Sequence, residues 1–133
     1  MKKHLLGAAW LVAAVAVIGC SKDSASGSTG SAPAAATKVD LTAAKAEYQT
    51  RCASCHGASG HGDGAAAAAL NPKPRNYGDK AWQSSVTDEQ IRKTILMGGA
   101  AVGKSPIMPA APDLDSKPEI VEGLVQVVRG FGK

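Results

Sequence analysis

Two cysteines three positions apart, with a histidine directly behind them, are the residues best equipped for chemistry in this 133-residue chain. They lie in Arg51-Cys52-Ala53-Ser54-Cys55-His56-Gly57, which contains C-x-x-C-H, the spacing of covalent haem c attachment. Two thiols so spaced at the end of a helix can reach the two vinyl groups on one edge of a haem. The next residue then places an imidazole under the iron. Three plainer uses of the cysteines compete. A redox pair wants a βαβ context, and none is visible. A zinc site wants two further Cys or His ligands, and only His61 is at hand. A structural disulfide between Cys52 and Cys55 leaves His56 without purpose. Haem attachment uses all three residues.

The compartment follows from the start of the chain. Lys2, Lys3 and His4 precede an apolar run from Leu5 to Ile18. That run is shorter than the roughly 17 to 25 residues of a spanning helix and suits the apolar part of a signal peptide. It ends in Val17-Ile18-Gly19-Cys20, which resembles the lipobox of bacterial lipoproteins, where cleavage precedes a lipidated Cys. The expectation is a signal peptide over 1–19, a lipidation site at Cys20 and export to the cell envelope, facing the periplasm. Ser21 after the Cys resembles outer-membrane more than inner-membrane sorting. Residues 21–38 are Ser, Gly, Ala, Thr, Pro, Lys and Asp only. They hold nothing to bury, so 20–38 is expected to be a tether spanning roughly 23 Å.

The globular part therefore starts at Val39. The formal charge of the whole chain is +4. Removing Lys2 and Lys3 leaves 13 basic against 11 acidic residues, so no basic stripe argues for nucleic acid. Beyond the signal the aromatics are Tyr48, Tyr77, Trp82 and Phe131. So few rings suggest a core filled partly by something other than side chains.

The elements that must position the site read as helices. Asp40 can cap a helix from Leu41 to about Thr50, with Ala44 and Tyr48 one turn apart on one face. Thr87 and Gln90 form a capping-box pattern opening a helix through Ile91, Ile95 and Leu96, with Gly98 as its left-handed end. Ser116 and Glu119 repeat that pattern before Ile120, Val121, Leu124, Val127, Val128 and Phe131, an apolar face at helical spacing. No stretch alternates long enough to demand a strand.

From Val39 to Lys133 the chain resembles a class I monohaem cytochrome c domain. The resemblance rests on Cys52 to Gly57, Gly60-His61-Gly62-Asp63-Gly64, Asn71-Pro72-Lys73-Pro74-Arg75, Met97-Gly98-Gly99, Ser105-Pro106-Ile107-Met108-Pro109 and the last amphipathic segment. It implies an all-α fold of three to five helices wrapped around one covalent haem c, with the first and last helices crossing at Ala44 and Tyr48. It also implies that Met108, ahead of Pro109, is the sixth iron ligand opposite His56. Arg75 and Trp82 become candidates to bond a haem propionate. Pro106 and Pro109 favour an extended strap over 105–109. Met97, the rival thioether, is expected to pack in the core, and His61 to be solvated. A haem iron filled on both faces leaves no place for substrate. The expected function is thus one-electron carriage between donor and acceptor redox proteins, without enzyme activity and with the lipid anchor as membrane contact. Two alternatives stay open: a haem enzyme or gas sensor with an open sixth site, and a subunit docked permanently in a larger redox complex.

Overall fold

The computed structural model describes residues 38–133. The signal segment, Cys20 and the tether as far as residue 37 lie outside the described residues. Among the described residues the regular structure is helical, with no strands.

Helix α1 (Leu41–Glu47) begins where the sequence predicts, because the Asp40 carboxylate accepts the Ala43 N–H at 2.9 Å. The helical run then goes beyond Thr50. A π-helical segment (Tyr48–Cys52) leads into α2 (Ala53–His56), with the Ala53 N–H donating to the Tyr48 carbonyl. Such wide turns are frequent at functional sites, and this one delivers Cys52, Cys55 and His56. After a short 3-10 turn (Ala67–Ala69) come α3 (Lys80–Ser85) and α4 (Asp88–Ala101). The Thr87–Gln90 capping box is present in both directions, at 3.1 and 2.9 Å. Gly98 takes φ +76° and ψ 170°, a glycine conformation that kinks the helix without forming the left-handed cap expected there, and helix resumes for one more turn to Ala101.

A 3-10 turn (Pro112–Leu114) precedes α5 (Pro118–Gly130). Here the Ser116–Glu119 box does not form. Lys117 precedes a proline, which disfavours helical backbone there, so the helix opens with Pro118 as its first residue. The Ser116 hydroxyl instead donates to the Asp113 carbonyl at 3.2 Å.

Helices α1 and α5 pack together at small residues. Ala44 is fully buried, and a Cβ added to Gly123 would lie 2.5 Å from the Ala44 Cβ. At the helix entry the Asp40 N–H donates to the Glu119 carbonyl at 3.2 Å. Around this crossing Tyr48, Tyr77, Ile91, Leu114, Val121, Leu124, Val125 and Val128 form the buried core. The four aromatic rings join it as one connected group: Tyr48 to Phe131 at 5.2 Å, Phe131 to Tyr77 at 6.2 Å, and Tyr77 to Trp82 at 5.4 Å.

Candidate haem site

Helix α2 ends at His56, and its orphan carbonyls are met by the glycine-rich loop behind it. Gly62 N–H donates to His56 O at 2.8 Å, Gly64 N–H to Cys55 O at 3.1 Å, and Ala66 N–H to Ser54 O at 2.9 Å. The Gly60–Gly64 motif thus serves to fold the chain back onto the C-x-x-C-H turn. Buried Tyr48 adds a further tie, its hydroxyl donating to Gly57 O at 2.8 Å. Both cysteines are free and partly exposed, so the structure does not form the disulfide considered above. Burial, with Glu47 adding to it and Arg51 opposing, pushes the Cys52 thiol up to about 11.

The imidazole of His56 is buried and fixed in one tautomer. Nδ1 lies 3.1 Å from the Arg75 carbonyl oxygen, which can only accept, so Nδ1 carries the proton. Nε2 then presents its lone pair, and the Tyr77 hydroxyl donates to it at 3.2 Å while the two rings stack at 4.6 Å. Burial holds the His56 pKa below its ordinary value, against the Arg75 carbonyl, which favours the cation. A neutral imidazole with Nε2 available and Nδ1 engaged is the form that ligates a metal. Two thiols on one helical turn beside such an imidazole fit a covalently attached haem. Iron at Nε2 would take the place of the Tyr77 hydrogen bond. Among the described residues no three His, Cys, Asp or Glu side chains converge as a metal cluster, so the zinc reading has no further ligands.

Met108 is half-buried on the loop between α4 and α5. That stretch is not the extended strap expected from its prolines. Ser105 to Met108 folds into a turn, with Met108 N–H donating to Ser105 O at 3.3 Å. The loop is seated on the glycine pair in the last part of α4: Gly99 N–H donates to Met108 O at 3.0 Å, and a Cβ on Gly98 would lie 2.8 Å from the Ala110 nitrogen. Met97 corrects a second expectation, being 50% exposed rather than packed in the core. The inward face of α4 runs through Ile91, Ile95 and the glycines; Met97, six residues after Ile91, falls off it. His61 is exposed and paired with the Ser59 hydroxyl at 3.0 Å.

Arg75 and Trp82 are brought together, with the guanidinium 5.8 Å from the centre of the indole ring. The Arg75 side chain is exposed and also reaches Asp79 at 3.5 Å. Its backbone carbonyl, which orients His56, is the contribution that a sequence cannot announce, since any residue there has a carbonyl. Trp82 lines a cleft of about 390 Å³ with Val86, Gln90, Lys93, Thr94 and Lys104. Tyr77 is a site residue whose role no motif announces, since only its ring type is visible before the fold brings it to His56.

The model of the cytochrome c family matches residues 41–121, and the chain belongs to that family. A similar solved structure is the KustC0563 c-type cytochrome. It is 32% identical, with 68% of this chain and 98% of that one covered, at a TM-score of 0.51. No curated protein matches the chain. Membership makes covalent haem c the cofactor, electron carriage the general activity and redox proteins the class of partner.

Proposed function

We propose that the protein is a lipid-anchored one-electron carrier whose haem c is joined to Cys52 and Cys55 and ligated by His56 and Met108. The observation that carries this reading is the state of His56: buried, neutral, with Nδ1 donating to Arg75 O and Nε2 bearing the lone pair. Bound there, haem c supplies a ferrous/ferric couple that takes up and releases one electron. The chain's residues set the conditions. The Arg75 carbonyl keeps the imidazole in the ligating tautomer and adds to its basicity. Met108 offers a thioether, a soft ligand that favours the reduced metal and a high potential. With both ligands in place no position is left for substrate, which favours a carrier over an enzyme or gas sensor. Arg75 and Trp82 remain our candidates for the propionates, through the guanidinium and the indole N–H.

Cys20 would carry the lipid and residues 20–38 the tether, leaving the domain free to meet donor and acceptor proteins in the periplasm, with the outer membrane favoured. The deciding experiment compares Met108→Ala with Met97→Leu in the haem-loaded protein. Met108→Ala should keep the covalent haem, lose the weak far-red band of ferric Met-ligated haem, lower the midpoint potential and admit carbon monoxide to the reduced iron. Met97→Leu should do none of these. The opposite pattern would assign the sixth position to Met97.

A further inference from the structure

The loop over residues 102–117 carries Met108, and its anchors fall into two groups. Most tie it to α4: Lys104 N–H to Gly99 O at 2.8 Å, Gly99 N–H to Met108 O at 3.0 Å, and Ala111 N–H to Ile95 O at 3.0 Å. Among the hydrogen bonds and ion pairs of the described residues, one connection joins this loop to the helical run that ends in Cys52, Cys55 and His56. It is a bidentate pair: Arg51 Nη1 and Nη2 donate to the two Asp113 carboxylate oxygens at 2.8 and 2.6 Å. Arg51 lies immediately before Cys52, in the π-helical segment, and its Nε also pairs with Glu47 one turn earlier. Asp113 lies five residues after Met108, in the 3-10 turn whose neighbour Leu114 is buried in the core. The guanidinium fork is thus held from behind by Glu47 and grips the loop in front.

We propose that Arg51 and Asp113 form a clasp between the two halves of the haem site, and that they are positioning residues keeping Met108 seated at the iron. The inference rests on the reading of Met108 as sixth ligand. Its physical basis is geometry. A planar fork on a carboxylate fixes distance and orientation, where a lysine would fix only distance. A loop tied only to α4 can lift as one with that helix; a loop also tied beside Cys52 cannot leave the attachment side without breaking the clasp.

The test uses the haem-loaded ferric protein, with imidazole as an added ligand that binds only when Met108 is off the iron. Arg51→Gln and Asp113→Asn should each raise the imidazole affinity about two- to five-fold, the range of an exposed but well-formed pair. The double variant should show no more than the larger single effect. The two substitutions change the local charge in opposite senses, so an effect through the field alone would move the affinities in opposite directions. Arg92→Gln is the control. It breaks a pair of like geometry, Arg92 to Glu122 at 2.6 and 2.9 Å, that joins α4 to α5. It should lower the melting temperature without changing the imidazole affinity. Unchanged affinities, affinities shifted in opposite directions, or an equal gain in Arg92→Gln would each overturn the clasp. A wild-type ferric protein lacking the far-red band would instead overturn the Met108 reading beneath it.

Discussion

Gly99→Ala addresses the seating of Met108 directly. The added methyl would lie 2.0 Å from the Ser105 carbonyl oxygen and 3.3 Å from the Met108 Cβ. The nearer atom belongs to the backbone, so no rotamer change relieves it. Reaching an ordinary contact of 3.4 Å requires the Ser105–Met108 turn to retreat by about 1.4 Å. That movement stretches the 3.0 Å bond from Gly99 N–H to Met108 O. Overpacking of this kind costs about 1–3 kcal/mol and the lost hydrogen bond about 1 kcal/mol. Alanine's better backbone statistics return up to about 1 kcal/mol. The net loss is about 2 kcal/mol, or roughly 10 °C in melting temperature for a domain of this size. Because the displaced turn carries Met108, the far-red band should weaken and carbon monoxide should bind the reduced protein more readily. The assay pairs these spectra with a thermal melt followed by far-ultraviolet circular dichroism. Gly130→Ala serves as the reference, since beyond its own stretch of helix backbone no atom lies within 4 Å of its added Cβ. It should be neutral or stabilising. A Gly99→Ala protein with the full far-red band and the wild-type melt would refute the argument that backbone contact between Gly99 and the turn fixes the loop.

Three further outcomes are expected. Tyr48→Phe leaves the ring contact with Phe131 but removes the 2.8 Å bond to the Gly57 carbonyl, which keeps only the Gly60 N–H at 3.1 Å, and should lower stability by about 1 kcal/mol in denaturant melts. The Arg51 hydrogen bond holds the Asp113 carboxyl below its ordinary value, so its contribution is present above the unfolded carboxylate pKa of about 3.9 and fades as pH falls through the lower folded value. Asp113→Asn should therefore flatten part of the acid limb of a stability–pH curve, and an unchanged limb would show that the pair adds nothing. Cys20→Ser should release the protein from membranes or leave an uncleaved precursor with its haem spectrum unaltered; wild-type protein confined to the soluble periplasm would remove the anchor.

Local chemistry made much of this molecule legible in its sequence. Cys52, Cys55 and His56 name the cofactor because thiol spacing and a following imidazole act within one helical turn. Asp40 and the Thr87–Gln90 pair set helix starts because capping bonds span three residues. The Ser116–Glu119 pattern failed for a reason equally local: Pro118 bars helix at Lys117 and claims the first helical position itself, a stronger rule than the box it displaced. What distance along the chain conceals, only the tertiary structure decided. The Arg75 carbonyl that orients His56 is 19 positions away, and its role depends on where the backbone passes rather than on residue type. Asp113 is 62 positions from the Arg51 it clasps. Met97 looked like core and became surface because the glycine pair beside it, not its own side chain, meets the Met108 loop. Side-chain type is written into the sequence one residue at a time; which backbone atom arrives next to it is set by the packing of all the helices together.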